Sequence, residues 1–363
     1  MILICRKYIK IKINKMRTIS EISKRLRKAR AELENNEIDA LLVTNPKNLR
    51  YLTGKDTGRA LIGRDDAFLW VKELYRDLYS ELYSNGGYEF EVRIYEEGAV
   101  RKFINKSGIK RLGIENIGIL EFNRLSREIK RGLIPCNIPE TLRAIKSRYE
   151  IELLKKSADM AKKGMEKAYK VVKEGTRELD AVAEIEYEIR TLGSETPPFG
   201  EGMLLASGVS GADIHAFAEM KRIYSDSPVV VDLGARYQGY YSDMTRTLVV
   251  GRLSKKEKDL LEFVESLELE AIGRVDVGTK ASEIHKFVEE EMEKRGYKFY
   301  HSTGHGVGLD VHEIPNIGPN SEDVLKEGMV FTIEPGIYIP GEFGIRFEDM
   351  ILLEKNRVKM LTR

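Results

Sequence analysis

The residues best suited to chemistry are three histidines between residues 301 and 313. The chain has only five histidines, and His301, His305 and His312 all lie in the stretch HSTGHGVGLDVHE. His301 and His305 have the i, i+4 spacing of a helical zinc motif, but Ser302 stands where that motif needs a glutamate. The interspersed glycines would each cost a helix about 1 kcal/mol. We therefore predict strand and loop here, so a metal site must take its other ligands from elsewhere in the chain.

A second group of candidate residues lies on a predicted hairpin, VVVDLGARYQGYYSDMTRTLVV, which turns near Gln238 and Gly239. Asp232 and Asp243 are eleven residues apart. With a two-residue loop, that odd separation places both side chains on one face of the hairpin. Asp232 stands in a run of valines and is expected to be buried, where a carboxylate is costly unless it is paired or binds a metal. Two buried carboxylates would also repel each other, and a cation between them removes the repulsion.

The last predicted hairpin, MVFTIEPGIYIPGEFGIRFEDMILL, makes the same arrangement of carboxylates. Glu334 and Glu348 are fourteen residues apart around a loop near Pro340 and Gly341, and an even separation with an odd-length loop again places both on one face. Any one of the four acidic residues, taken alone, also fits a solvent-facing position on an edge strand. Together with a histidine they form an oxygen-rich set that suits paired divalent ions such as Mn²⁺, Co²⁺ or Zn²⁺. Two such ions about 3.5–4 Å apart can share a hydroxide and stabilise the oxyanion it generates, which predicts hydrolysis of an acyl bond.

The second half of the chain contains an internal repeat that relates the two hairpins. The segment GTRELDAVAEIEYEIRTLG begins at Gly175, and GTKASEIHKFVEEEMEKRG begins at Gly278, an offset of 103 residues. Further on, VVDLG matches TIEPG with an offset of 102, which sets Asp232 against Glu334. The near-constant offset predicts two related halves whose carboxylates meet across a pseudo-twofold axis.

Length and composition restrict the class of protein. A chain of 363 residues is long enough for two domains. Its 60 basic and 58 acidic residues are interleaved along the chain, which argues against a nucleic-acid-binding protein. No apolar run approaches the length of a membrane-spanning helix, so no membrane partner is expected. The two cysteines, Cys5 and Cys136, favour a reducing, cytoplasmic compartment over a disulfide framework.

Three segments are predicted along the chain. Residues 1–15, MILICRKYIKIKINK, are basic with a short apolar start and are interpreted as a dispensable extension. Residues 18–21, Thr-Ile-Ser-Glu, have the form of a capping box, so a helix is predicted to begin there. Residues 16–140 alternate helices with short strands and form a first domain. Residues 141–363 form a second domain, which opens with a long helix near Arg148 and contains the repeat and every candidate ligand.

Four motifs of the second domain resemble a known family. VDLGARYQGYYSDMTRT, HSTGHGVGLDVHE, FTIEPGIY and GIRFED together resemble the pita-bread metallopeptidases, in the branch of Xaa-Pro dipeptidases (prolidases) and aminopeptidase P. NPKNLRYLTG, at residues 45–54, is similar to the N-terminal domain of the same branch. The resemblance implies an α+β pita-bread catalytic domain with an internal pseudo-twofold repeat, preceded by a smaller α/β creatinase-like N-terminal domain.

The resemblance also implies a role for each matching residue. Asp243 and Glu348 match the ligands that bridge two metal ions, and Glu334 matches a ligand that also shuttles the proton of the attacking hydroxide. His312 matches a histidine that contacts the scissile carbonyl, while His301 and His215 match histidines that line the substrate pocket. The metal ligands implied are Asp232, Asp243, His305, Glu334 and Glu348, and Tyr338 and Arg346 match positions behind the ligands and beside the substrate.

The implied function is a metallo-exopeptidase that hydrolyses Xaa-Pro bonds at peptide N-termini by attack of a metal-bridging hydroxide. Mn²⁺ or Co²⁺ is the implied metal, with Zn²⁺ also possible in principle, and the active form is expected to be a homodimer. The stretch Ala212-Asp213-Ile214 precedes His215 where the branch often has a small residue and a proline, which leaves the preference for proline open. The choice between dipeptidase and aminopeptidase activity stays open as well. Three alternative functions on the same fold also stay open: a creatinase-like amidinohydrolase, a methionine aminopeptidase and a metal-free partner-binding protein.

Overall fold

The chain divides into two units, residues 1–143 and residues 144–363, each described by itself. A computed structural model describes residues 2–77, 79 and 90–363, with side chains from residue 18 onward. The helices that begin in the first unit are α1 (Ile2–Asn35), α2 (Pro46–Thr53), α3 (Ala99–Lys106), α4 (Ile119–Glu128) and α5 (Ile138–Ala144). Its strands are β1 (Ala40–Val43), β2 (Arg59–Gly63), β3 (Ala67–Val71), β4 (Glu91–Ile94), β5 (Arg111–Ile114) and β6 (Gly132–Pro135). They form one mixed sheet in the order β4-β3-β2-β1-β5-β6, in which β1 pairs antiparallel with β2 and parallel with β5.

Helix α1 begins at Ile2, so the prediction that a helix begins at residues 18–21 is wrong. Residues 2–17 contain neither glycine nor proline and are rich in isoleucine, lysine and arginine, which a helix accommodates readily. A capping box stabilises a helix end only where the preceding chain leaves the helix. The predicted extension therefore continues α1, and its side chains lie outside the described residues.

The second unit contains the elements that carry the candidate ligands. Its helices are α6 (Arg148–Val171), α7 (Glu178–Thr191), α8 (Lys255–Gly273) and α9 (Ala281–Lys294). The first group of strands is β7 (Leu204–Ser207), β8 (Ser227–Leu233), β9 (Arg236–Tyr237), β10 (Tyr240–Tyr241) and β11 (Met244–Val250). The second group is β12 (Gly304–Gly306), β13 (Glu313–Ile317), β14 (Val330–Ile333), β15 (Gly336–Ile339), β16 (Phe343–Arg346), β17 (Asp349–Glu354) and β18 (Arg357–Met360). The long helix predicted near Arg148 is confirmed as α6, and Ser147 and Glu150 form a capping box at its start.

The predicted repeat is present in the fold of the second unit. Helices α7 and α9 have the same length, 14 residues. Each follows a glycine of positive φ, Gly175 or Gly278, and precedes another, Gly193 or Gly296. The first half has a sheet of order β11-β8-β7 and a two-stranded sheet β10-β9, and the second half has a sheet of order β13-β12-β14-β17-β18 and a two-stranded sheet β15-β16. Each half buries its own hydrophobic cluster, one between α6, α7 and the first sheet and one between α8, α9 and the second. The two hairpins that carry acidic residues therefore lie at related places.

The histidine-rich stretch is strand and loop, as its glycines predict. Gly304 to Gly306 form β12, and no residue from 301 to 313 is helical. The helical zinc motif is thereby excluded. Among the described residues, no helix is both long enough and apolar enough to cross a membrane.

Candidate metal centre

The first hairpin brings Asp232 and Asp243 onto one face of the sheet. Strands β8 and β11 are in antiparallel register, with Asp232 opposite Thr245. The register continues through β9 and β10 to a two-residue turn at Gln238 and Gly239, whose φ angles are 50° and 89°. Two positive φ values are those of the tight hairpin turns that match strand twist. Asp243 precedes Thr245 by two residues and so shares its face with Asp232, which confirms the expectation from the odd separation.

The second hairpin does the same with Glu334 and Glu348, but it does not copy the first. Ile333 pairs with Asp349, and Gly336 pairs with Arg346, so the register between them sets Glu334 directly opposite Glu348. In the first hairpin, the position opposite Asp232 is taken by Thr245 instead. Both pairs therefore lie on one face, as expected, but Asp243 stands two residues before the position opposite Asp232, whereas Glu348 stands opposite Glu334.

The two hairpins meet at these equivalent positions. Thr245 and Glu348 form an antiparallel bridge, in which the Glu348 N–H donates to the Thr245 carbonyl at 3.1 Å. The Thr245 hydroxyl also donates to Glu348 Oε2 at 2.8 Å. This contact joins the two halves of the repeat and turns the acidic faces of both hairpins toward one place.

Three of the predicted ligands form a cluster with the spacing of a metal site. Asp243, His305 and Glu348 each offer one ligand atom, and these atoms lie within 4.8 Å of one another. His305 Nε2 is 3.3 Å from Glu334 Oε1 and 3.7 Å from Asp243 Oδ2. Asp243 and Glu348 are 4% and 1% exposed, so water cannot screen their charges.

The electrostatics of the cluster fit a cation at its centre. Within the described part of the chain, Asp232 Oδ1, Asp243 Oδ1 and Glu348 Oε1 are buried and have no hydrogen-bond donor. Burial raises the pKa of Asp243, and the nearby charge of Glu348 raises it further. Burial followed by the charge of Glu334 raises the pKa of Glu348 as well, and burial raises the pKa of Glu334 to about 7. Divalent ions satisfy such orphaned oxygens and remove the repulsion.

The state of His305 also fits a cation at this place. Its Nδ1 lies 3.2 Å from the Gly306 carbonyl, which accepts a hydrogen bond only if Nδ1 carries the proton. Nε2 then presents a lone pair toward the carboxylates of Asp243 and Glu334. Burial lowers the pKa of His305 to about 3, so the neutral ring is the stable form. The Nε2 lone pair and the two carboxylates are all acceptors, so they cannot hydrogen-bond to one another, whereas a metal ion can bind all three.

Asp232 stands beside the cluster in a second, connected network. Arg346 Nη2 donates to Asp232 Oδ2 at 2.6 Å, and Nη1 donates to the Tyr338 hydroxyl at 3.0 Å. The Tyr338 hydroxyl can then donate to His301 Nε2 at 2.9 Å, while His301 Nδ1 donates to the Ser302 carbonyl at 2.8 Å. Burial lowers the pKa of His301 to about 4, which keeps that ring neutral. The network fixes the orientation of His301 and Tyr338 relative to the acidic cluster.

His312 and His215 are the solvent-exposed imidazoles of this region. The His312 ring lies 4.1 Å from the His305 ring, centroid to centroid. Burial lowers the pKa of His312, and the nearby charge of Asp232 raises it by a smaller amount. A positive charge on His215 would lower the pKa of His312 and of His301, so His215 lies near both rings. The Ile214 carbonyl accepts a hydrogen bond from Arg346 Nη1 at 3.1 Å, which ties the segment before His215 to the network.

The threonines that hold the ligands, Thr245 and Thr332, are not among the site residues predicted from the sequence. Thr245 donates to Glu348, and the Thr332 hydroxyl donates to Glu334 Oε1 at 3.3 Å and accepts the His305 N–H at 3.1 Å. Thr245 follows Asp243 by two residues, and Thr332 precedes Glu334 by two. The period of two along a strand was the signal that could have identified them. The remaining histidine, His285, is buried and its Nδ1 lies 3.1 Å from the Thr303 hydroxyl, so its role is structural.

Comparisons with known proteins identify the family to which the two units of this chain correspond. Residues 152–355 match the model of metallopeptidase family M24, and residues 25–145 match the creatinase/prolidase N-terminal domain. A Xaa-Pro dipeptidase of Pyrococcus horikoshii is 37% identical over 340 residues, which are 91% of this chain and 94% of that protein.

Solved structures show the same fold. A Xaa-Pro dipeptidase from Bacillus anthracis superposes with a TM-score of 0.87 and 31% identity, covering 94% of this chain and 98% of that one. An X-Pro aminopeptidase from Thermotoga maritima superposes with a TM-score of 0.79 and 28% identity, covering 92% and 97%. This chain therefore belongs to metallopeptidase family M24 and is a metallopeptidase of the pita-bread fold with a creatinase/prolidase-type N-terminal domain.

Proposed function

We propose that the chain is a dinuclear metal-dependent exopeptidase that hydrolyses Xaa-Pro bonds at peptide N-termini, with Xaa-Pro dipeptides as its main substrates. The observation that carries this proposal is the cluster of Asp243, His305 and Glu348. Its buried carboxylate oxygens have no hydrogen-bond donor, and divalent cations would satisfy them. The similarity to a Xaa-Pro dipeptidase over nine tenths of the chain supports the choice of substrate.

The metal ligands we propose are Asp232, Asp243, His305, Glu334 and Glu348. Divalent ions held there, of which Mn²⁺ or Co²⁺ suits the set best, would lower the pKa of water and polarise the scissile carbonyl. The Thr245 and Thr332 hydroxyls hold Glu348 and Glu334 by hydrogen bonds. This support limits the positions the carboxylates can take and prepares the site for its ions.

The chain's own groups supply the proton transfers and the orientation. Hydrolysis adds hydroxide to the carbonyl carbon and a proton to the departing nitrogen. A nitrogen that belongs to proline has no hydrogen of its own and leaves as a secondary amine only if it is protonated. We propose that Glu334 accepts the proton of the attacking water and passes it to that nitrogen. His312, exposed at the edge of the cluster, donates a hydrogen bond to the carbonyl oxygen as negative charge builds on it.

The remaining residues bind and align the substrate in this proposal. His301, fixed by Tyr338 and the Ser302 carbonyl, and His215, on an exposed loop, line the substrate side of the cluster. Arg346 keeps Tyr338 and Asp232 in place through two hydrogen bonds. The proposal also includes a cytoplasmic homodimer as the active form.

Purified protein supplied with Mn²⁺ or Co²⁺ should be assayed on Ala-Pro, Ala-Pro-Ala and Ala-Ala in parallel. The proposal expects hydrolysis of Ala-Pro, little hydrolysis of Ala-Ala, and loss of activity after chelation that added metal restores. Preference for Ala-Pro-Ala over Ala-Pro would favour an aminopeptidase. A metal-loaded protein that cleaves none of these peptides but hydrolyses creatine would overturn the proposal in favour of an amidinohydrolase.

A further inference from the structure

We propose that Lys146 and Glu313 form a positioning pair that holds the His312 imidazole in its working place, and this rests on the role proposed above for His312. Lys146 lies just before α6, and Glu313 directly follows His312 in the chain. Neither residue belongs to the ligand cluster or to the Arg346 network. Their contact, 167 residues apart in sequence, links the start of the second unit to the turn that carries His312.

The pair is buried to an extent unusual for opposite charges. Lys146 Nζ lies 2.8 Å from Glu313 Oε1, and the two side chains are 1% and 7% exposed. Lys146 Nζ also donates to the Ala144 carbonyl at 3.3 Å. Removing such charges from water is costly, and apolar residues of the same volume are often at least as stabilising. Stability alone therefore does not explain the pair, whereas fixing one arrangement of the chain does.

The Glu313 carboxylate occupies the inside of the turn formed by residues 308–313. A β-carbon added at Gly308 would lie 2.2 Å from Glu313 Oε1, so the carboxylate fills the space beside Gly308 and would have to move if a side chain were added there. The Gly308 N–H donates to the Asp310 carbonyl at 2.9 Å, and the Asp310 N–H donates to Glu313 Oε2 at 3.4 Å. The turn is thus closed around a carboxylate that Lys146 holds from the other side.

This turn determines where His312 stands. Its Gly308 carbonyl accepts the N–H of Tyr241 at 2.8 Å, two residues before Asp243, which ties the turn to the ligand-bearing hairpin. The His312 ring contacts the His305 ring on one side and is exposed on the other, so the backbone of the turn helps to set its place. Loosening the turn would shift the imidazole without removing any proposed ligand. A misplacement of about 1 Å costs about 10²-fold in rate.

The test compares Lys146→Met and Glu313→Gln in the native chain and in a His312→Ala background. In the native chain we expect turnover of Ala-Pro to fall about 10–100-fold with an unchanged metal content. In the His312→Ala background we expect less than about a twofold further loss, because the imidazole that the pair positions is absent. Glu115→Gln is the matched control, since it alters a carboxylate that is 2% exposed in the first unit and should lower the melting temperature without changing turnover.

Three outcomes would count against the positioning role. If Lys146→Met or Glu313→Gln reduced turnover by the same factor in the His312→Ala background as in the native chain, the pair would act on another group. That result would overturn this proposal while the role of His312 stands. Full turnover in His312→Ala would remove the proposed role of His312 and this proposal with it. If a single variant does not fold, Lys146→Met/Glu313→Leu removes both charges at similar volume, and full turnover in that variant would also refute the positioning role.

Discussion

Adding one methyl group at Gly304 should displace His305 from the ligand cluster. A β-carbon on Gly304 would lie 1.9 Å from the Thr332 carbonyl oxygen and 3.1 Å from the Thr332 hydroxyl. Because such contacts do not occur below about 3 Å, β12 must move away from β14 by about 1 Å in Gly304→Ala. The Thr332 hydroxyl accepts the His305 N–H at 3.1 Å, so this movement breaks that bond and carries the imidazole away from Glu334.

The size of the effect follows from the contact. Overpacking of this kind destabilises a protein by about 1–3 kcal/mol, which lowers the melting temperature of a unit the size of residues 144–363 by about 2–12 °C. A displacement of His305 by about 1 Å should weaken metal binding about 10–100-fold and reduce turnover about 10²-fold. Thermal unfolding should be followed with a chelator present, because bound metal adds a stabilisation of its own. Metal affinity is measured separately by titration.

Gly273→Ala is the matched control for Gly304→Ala. Gly273 ends α8 in the same unit, and a β-carbon there would meet no atom within 4 Å. This control should keep metal affinity and turnover, with a melting temperature equal to or slightly above that of the native chain. If Gly304→Ala matched the control in all three measurements, the close approach of β12 and β14 would not be what holds His305.

Three further predictions concern the ligands and the start of the chain. Glu348→Ala should lose bound metal and activity together, because it removes a carboxylate that is 1% exposed at the centre of the cluster; two metal equivalents with full activity by elemental analysis and assay would contradict the assignment. Excess Mn²⁺ should partly restore the turnover of His305→Ala, because this variant loses a metal ligand. The turnover of His312→Ala should fall about 10²–10³-fold with its metal content unchanged, and added Mn²⁺ should not restore it. Restoration of His312→Ala by added metal would refute the proposed role of His312. A chain that begins at Met16 should keep its melting temperature and activity, because the capping-box sequence at residues 18–21 can start the shortened helix; a large loss of either would show that residues 1–15 are needed.

The sequence by itself determined the residue types of the candidate site and the faces on which they lie. The separations of eleven and fourteen residues place each pair of carboxylates on one side of its hairpin, because side chains alternate along a strand. Gln238 and Gly239 form the predicted turn, and the glycines around His305 exclude a helix there. These features depend on covalent spacing and local backbone preference, which the chain carries whatever surrounds it.

The tertiary structure alone decided which of these faces meet and what each ligand touches. Thr245 joins Glu348 across 103 residues, and Arg346 pairs with Asp232 across 114. Asp232 therefore gives one carboxylate oxygen to Arg346 and keeps the other without a donor, which no spacing predicts. The continuous α1 shows the same limit, because a capping motif acts only where the chain before it leaves the helix. Such contacts depend on how separate elements pack, and packing is set by the whole chain and not by neighbouring residues in the sequence.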